Sequence, residues 1–460
     1  MLSVNPLCSE ALLQYIWLSG HFDRLRLQTV TGEPVAILSP GHLNRDGGPD
    51  FTAARLRIGG MEWAGNVELH YRTSDWRRHG HQHNPRYHNV ILHVVFEHDQ
   101  PEPTGGKPLP WQIPEPRIPV LELQHRIPKI LLRRYHHLMA HTAFVPCAPL
   151  LHRVPEAVWE KWTPRLIQER LARKTEVYRN WLEQTRFNWE EVCTRAMAQS
   201  YGMPVNTSAF LELVQSIPFM LLARIRQHRP RLEALLFGQA GMLGTAFKDA
   251  YPKELQSEYR FLQHKYGLQP MPAHRWQWLR MRPASFPSLR IAHFAAVLHS
   301  APHFFSRLLD TQGAPELEQL LHAEPSEYWQ YHYRLDVPSV RTTAPGKHIL
   351  HHVMINAIVP LLYLYGKHMR LPQHQQRALD LLDSLPAENN HIIRGWAHEK
   401  VPSITATDSQ SLLQLKQYYC DAKRCLDCQV GKNLLGDDLN ECQEEDEDSL
   451  WGGGSPMKKF

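Results

Sequence analysis

Gly65-Asn66-Val67-Glu68-Leu69-His70, preceded by Gly48-Pro49-Asp50-Phe51, is the stretch from which the fold can be read. Successive side chains of a strand point to opposite faces, so Glu68 and His70 share one face while Val67 and Leu69 share the other. If Asp50 begins the preceding strand of a hairpin, its carboxylate meets that of Glu68. Two carboxylates on adjacent strands make an oxygen site for Mg²⁺ or Mn²⁺, with the Leu69 carbonyl as a candidate third ligand. An ion there can bind a phosphodiester oxygen and lower the pKa of an attacking water. The same residues also fit a plainer arrangement, a turn-capping Asp and an exposed strand Glu paired with Arg55 or Arg72.

The segments on either side extend this hairpin. Leu12, Leu13, Ile16 and Trp17 recur at helical spacing between a capping Ser9 and a stop at Gly20, which predicts a first helix. Pro34 to Leu38, Thr52 to Ile58, Glu62 to Arg72 and Val90 to Glu97 are short, rich in β-branched or aromatic residues, and separated by turn residues. The polar, His-rich segment from Ser74 to Asn89 has room for a helix beginning at Ser74-Asp75. The predicted order is α-β-β-β-(α)-β.

Seven prolines between Pro101 and Pro119 exclude regular helix and suggest an extended connection with a domain boundary near it. Beyond Pro155 the apolar period becomes helical, as in Trp159, Trp162, Leu166, Ile167 and Leu171, and later in Leu317, Leu320 and Leu321, and in Leu412, Leu415 and Tyr419. The expected fold class is therefore α+β: a sheet domain over residues 1–125, a mainly helical domain over 126–436, and an acidic, disordered tail over 437–460.

The chain has 460 residues, of which 43% are hydrophobic and 21% charged, so a folded soluble protein of two or three domains is expected. Residues 1–436 carry 49 Lys+Arg against 38 Asp+Glu. That surplus makes nucleic acid or another polyanion a plausible partner, although a solvated basic surface fits it equally well. The N-terminal apolar run lacks a basic lead and carries Glu10 and Asp23, so no signal peptide is expected and the cytoplasm is the expected location. Val353 to Tyr365, the longest apolar stretch, is interrupted by Asn356 and Pro360 and is too short to span a bilayer.

An Asp after Pro, a spacer, and Glu-x-basic on the next strand resemble the PD-(D/E)XK nuclease superfamily, and the predicted order is similar to its α-β-β-β-α-β core. The resemblance implies metal-dependent hydrolysis of DNA or RNA, with Asp50 and Glu68 as metal ligands and Glu10 where many members carry a further acidic ligand. His70 stands in the place of the lysine. A lysine there is a permanent cation, whereas a neutral histidine can take a proton near pH 7 or bind metal. A protein that kept this fold and lost catalysis, binding nucleic acid or serving as a scaffold, is the alternative from another class.

Further histidines follow at His79, His81, His83 and His93. They fit an exposed polar loop and a hydrogen-bonded strand histidine, or a zinc hydrolase built on imidazoles. Cys420, Cys425 and Cys428 form a C-x4-C-x2-C cluster that needs a fourth ligand to surround Zn²⁺ or a [4Fe-4S] cluster. Cys147 is the preferred fourth ligand over Cys442, which lies in the acidic tail. Some nucleases of the same superfamily hold a [4Fe-4S] cluster with one upstream and three downstream cysteines, a similar logic with different spacing. Cys8 and Cys193 read as core thiols. Arg280, Arg282 and Arg290 beside Trp276 and Trp278 suit phosphate contacts with base stacking, or equally a Pro-kinked helix junction.

Over nearly its whole length to Gly436 the chain also resembles an uncharacterised bacterial family defined as a domain of unknown function (2851). The residues that carry this resemblance are Leu43-Asn44-Arg45-Asp46-Gly47-Gly48-Pro49-Asp50-Phe51, Trp63 to Glu68, Ser74-Asp75-Trp76, Leu236-Phe237-Gly238-Gln239-Ala240-Gly241 and the segment from Cys420 to Gly431. It implies no activity, so function rests on the residues.

Overall fold

A computed structural model describes residues 8–100, 118–202, 204–278, 285–339 and 345–436. The chain forms two compact units, Met1–Trp162 with Leu415–Phe460, and Thr163–Gln414. Each is built around its own hydrophobic core. The fold is mixed α+β.

In the first unit, helix α1 (Glu10–Ser19) starts where the Ser9 side chain accepts from the Leu12 N–H and stops at Gly20. The φ of +72° at Gly20 lets its N–H return to the Ile16 carbonyl, a conformation that costs glycine nothing. Leu12, Leu13, Ile16 and Trp17 are all buried, as their spacing predicts. The sheet contains β1 (Val35–Ser39), β2 (His42–Leu43), β3 (Phe51–Ile58), β4 (Met61–Arg72), β5 (Val90–Glu97) and β6 (Val120–Glu122). Its order is β1-β3-β4-β5-β6, with β2 paired to β3. The β1, β3 and β4 pairings are antiparallel, whereas β4, β5 and β6 run parallel.

Gly59 and Gly60, both at positive φ, close the β3–β4 hairpin opposite the Ile58–Met61 pair. At the other end the β3–β4 register slips between Phe51 and Ala54, where Ala53 takes a φ of +55°. The extra residue resets the alternation, so Phe51 and Ala54 are both buried. In β4, Val67 and Leu69 join the core with α1, while Glu68 and His70 are buried on the opposite face. The short helix α2 (Asp75–Arg78) follows β4, and helix α3 (Lys129–Ala140) follows β6.

The unit boundary differs from the expected one near residue 125. Most of the proline run, residues 101–117, lies outside the described residues. Beyond it β6 pairs with β5, so the prolines interrupt one sheet unit, and the cysteine segment after Leu415 belongs to that unit too. Composition could not reveal either return, because both depend on pairing between segments distant in sequence. The acidic tail, with Cys442, also lies outside the described residues.

Among its described residues the regular elements of the second unit are helices and a two-stranded ribbon of β7 (His332–Arg334) and β8 (Val337–Pro338). Its segment Leu236 to Gly241 is a packing device. A Cβ on Gly238 would lie 2.0 Å from the Tyr259 ring, and Gln239 donates to the Gln269 carbonyl while accepting from the Tyr259 hydroxyl. Among the described residues, the helical run Lys347–His368 is long and apolar enough to cross a membrane, and 72% of its apolar window is buried in the protein.

Candidate functional site

The loop that delivers Asp50 is closed by Asn44. Its side chain donates to the Pro49 carbonyl at 3.0 Å and accepts from the Asp46 N–H, and its N–H donates to the Asp50 carbonyl. Gly48, at a φ of +126°, makes the turn that brings the chain to Asp50. The Asp50 carboxylate then accepts from two directions: Gln14 Nε2 of α1 at 2.8 Å and the Leu69 N–H of β4 at 3.0 Å. The Asp50 N–H in turn donates to Glu68 Oε2 at 2.9 Å.

Glu10, one turn before Gln14 on α1, completes an acidic group. Burial raises the Asp50 carboxyl to about 6, and the Glu10 charge adds to this against the hydrogen bonds from Leu69 and Gln14. Burial raises Glu68 to about 8, reinforced by the Asp50 and Glu10 charges against the Asp50 N–H. Burial also raises Glu10, with Asp75 adding to it and His79 and Arg78 opposing. The plainer arrangement does not hold here: Glu68 is 5% exposed, Arg55 lies near Glu62, and Arg72 pairs with Glu97.

Next to the carboxylates stand four imidazoles. His70 Nδ1 lies 2.9 Å from His93 Nε2, across the parallel β4–β5 pair. His70 Nε2 lies 3.1 Å from His79 Nδ1, 3.3 Å from His81 Nε2 and 3.5 Å from Glu68 Oε1. His81 Nε2 is 3.3 Å from the same Glu68 oxygen. Burial pushes His70 down to about 2, with His93, His79, His81 and Arg78 adding to it. Burial likewise takes His93 to about 3, helped by His81 and His98. Both imidazoles are held neutral.

Local structure brings His79 and His81 back over β4. Asp75 accepts from the Arg72 N–H and pairs with Arg78 at 2.9 Å, which anchors α2 to the end of the strand. His79 caps α2, and Gly80, at a φ of +75°, turns the chain so that His81 starts a 3₁₀ turn. His81 stacks on Tyr87 with ring centroids 3.9 Å apart, and Trp76 sets its edge or face against His70, His81 and His93. His83 is exposed and has no place in the cluster. The sequence points to these histidines and to Tyr87 beside them, but not to the packing of Trp76 against them or to the tether from Gln14. Gln14, four residues after Glu10 on one helix face, was the available signal.

The four cysteines of the expected site come from Cys147, from the end of a π-helical turn at Lys416–Cys420, and from the turn before helix Gln429–Gly436. Burial lifts the Cys420 thiol far above its usual range, and the neighbouring Cys147, Cys428 and Cys425 lift it further. Burial raises Cys428 to about 11, against N–H bonds from Gly431 and Val430 and the charge of Lys432. Between Cys425 and Cys428, Asp427 pairs with Arg45 at 2.7 Å, which joins this segment to the loop that delivers Asp50. Cys8 and Cys193 are buried in the cores of their units.

Arg280 and Arg282 lie outside the described residues. Arg290 sits in the first turn of helix Pro287–Ser300, half-buried, its charge disfavoured by burial despite the nearby Tyr201.

A family model described as Protein of unknown function (DUF2851) matches residues 10–391. The match takes in both carboxylates, all four imidazoles and the Leu236–Gly241 packing segment, and it ends before Cys420. No curated protein and no solved structure matches the chain.

Proposed function

Because the chain belongs to the DUF2851 family, whose description assigns no activity, we propose its function from the site: metal-dependent hydrolysis of nucleic-acid phosphodiesters by a first unit of PD-(D/E)XK type. The observation that carries this reading is the convergence of Glu10, Asp50 and Glu68 from α1, the head of β3 and β4. Burial and mutual repulsion hold two of these acids near 6 and 8, a state that a bound cation would relieve. The order α1-β1-β2-β3-β4-α2-β5, in which the two-residue β2 lies off the main path of the sheet and Glu68 lies on its central strand, supports the same reading.

Asp50 and Glu68, with Glu10, would hold a hard divalent ion, Mg²⁺ or Mn²⁺. Such an ion supplies a Lewis acid for a phosphoryl oxygen and lowers the pKa of an attacking water. Gln14 and the Leu69 N–H fix the Asp50 carboxylate, and the Asp50 N–H fixes Glu68, so both acids are oriented before any ligand arrives. His70 occupies the lysine's place, but both its ring nitrogens are engaged, so in this reading it positions Glu68 and does not take the proton from water.

The basic surplus of residues 1–436 fits a nucleic-acid partner, and a cytoplasmic location goes with it. In the same proposal Cys147, Cys420, Cys425 and Cys428 hold Zn²⁺ or a [4Fe-4S] cluster with a structural role, steadying through Asp427 and Arg45 the loop that carries Asp50. The test is cleavage of mixed single- and double-stranded DNA and RNA in Mg²⁺ or Mn²⁺, beside a Glu68→Ala control. Cleavage abolished by the substitution supports the reading. Cleavage that persists refutes the site, and binding without cleavage favours the non-catalytic scaffold.

A further inference from the structure

Three donor atoms crowd His70 Nε2 beside the oxygen site. His70 Nε2 faces His79 Nδ1 at 3.1 Å, His81 Nε2 at 3.3 Å and Glu68 Oε1 at 3.5 Å, and His81 Nε2 faces Glu68 Oε1 at 3.3 Å. Hydrogen bonding alone does not account for this. An imidazole nitrogen has either one N–H or one in-plane lone pair, enough for one partner, and here one nitrogen faces three. A tetrahedral ion with bonds of ~2.0–2.1 Å sets its ligands about 3.3–3.4 Å apart, and the four contacts, from 3.1 to 3.5 Å, straddle that spacing.

We infer that the imidazoles of His70, His79 and His81 form a three-nitrogen site for a borderline transition-metal ion of the Zn²⁺ class, with Glu68 Oε1 beside two of them. The inference goes beyond the hydrolytic reading and does not depend on it. Three imidazole nitrogens suit Zn²⁺ or Co²⁺, with a fourth position left for water or a carboxylate oxygen, whereas Mg²⁺ requires octahedral oxygen ligation. Glu68 has an oxygen for each side: Oε1 faces the imidazoles and Oε2 takes the Asp50 N–H.

The surroundings fit a metal ligand set. His70 Nδ1 lies 2.9 Å from His93 Nε2; when Nδ1 is the donor, His70 Nε2 carries the lone pair that a metal needs, and a second-nitrogen contact of this kind orients a metal-bound histidine. Trp76 and Tyr87 wall the imidazoles. Accessibility rises from buried His70 through His81 to exposed His79, giving an ion a way in.

The experiment loads the full chain, stripped by chelator, with Co²⁺ or Zn²⁺, in the wild type and in a Cys420→Ser/Cys425→Ser/Cys428→Ser variant that removes thiolate ligation. One Co²⁺ with intense tetrahedral absorption and no sulfur charge-transfer band is expected in the cysteine variant. Adding His79→Ala/His81→Ala should abolish it, weakening binding at least ~100-fold, while His83→Ala on the same loop should leave it unchanged. If the cysteine variant does not fold, the His79→Ala/His81→Ala change in the wild-type background should remove one equivalent of Zn²⁺ and leave only sulfur in the first shell of the rest. Unchanged stoichiometry in that double variant, or weak octahedral Co²⁺ absorption, overturns the site. Tetrahedral absorption in a protein that cleaves nothing supports it while removing the hydrolytic reading; cleavage without the absorption overturns this site alone.

Discussion

Replacing Glu68 by Gln should stabilise the metal-free protein at pH 8 and leave it nearly unchanged at pH 5. Burial, Asp50 and Glu10 raise the Glu68 carboxyl from its ordinary 4.5 to about 8. Between those values the unfolded chain has released the proton while the folded chain keeps it, so stability is full below about 4.5 and declines as pH rises toward 8. At ~1.36 kcal/mol per pKa unit the decline has a ceiling of about 5 kcal/mol, and coupling to Asp50 lowers it to roughly 3–5. The glutamine side chain of the Glu68→Gln variant would keep the acceptor for the Asp50 N–H and has no proton to lose, so the variant escapes the decline. For a unit of this size the gap between the proteins at pH 8 should be on the order of 10 °C. Differential scanning calorimetry in chelator from pH 5 to 8 reads it directly. Saturating Mg²⁺, which the imidazoles and thiolates do not hold, should raise the wild-type transition at pH 8 and leave the variant's in place. A gap that stays constant across the pH range would refute the reasoning.

Three further outcomes are expected. His93→Ala removes the partner of His70 Nδ1 without touching a ligand atom, and should weaken Co²⁺ or Zn²⁺ binding about 10–100-fold in a competitive chelator titration. Gly431→Ala places a Cβ 2.2 Å from the Cys425 carbonyl oxygen, so the cysteine turn must shift; metal content attributable to thiolate ligation should fall while the imidazole site stays intact. In the second unit Glu388 accepts from Asn356 Nδ2 at 3.0 Å and from Gln410, while Lys174 donates to Asn356 and Gln410. Burial opposes the Glu388 charge, yet His352 and Lys174 hold it at about 2, so Glu388→Gln should cost roughly 3 kcal/mol in urea unfolding, and less in a Lys174→Met background.

The sheet was legible because its strands are local in sequence. Val90–Glu97 was read to the residue, and Met61–Arg72 and Phe51–Ile58 to within one, since turn residues bound each of them. The convergence of Asp50 with Glu68 followed from strand alternation and the hairpin. What the sequence could not show was non-local: the parallel pairing of β4 with β5 that sets His93 against His70, and the return of β6 after the prolines. The α2 turn that lifts His79 and His81 onto His70, and leaves His83 outside, depends on one left-handed glycine, Gly80. The π-helical turns at Met354–Ile358 and Lys416–Cys420, which carry Asn356 and Cys420, leave no periodic trace in the apolar pattern.

The most direct test of the central claim is single-turnover cleavage of labelled nucleic acid across a Mn²⁺ titration, comparing the wild type with Asp50→Asn. The substitution keeps the shape and the acceptor for Leu69 but removes the charge at the head of β3. The account predicts Mn²⁺-dependent cleavage in the wild type and a loss of at least ~100-fold in the variant, about 3 kcal/mol of transition-state stabilisation. Equal rates in the two proteins would contradict it.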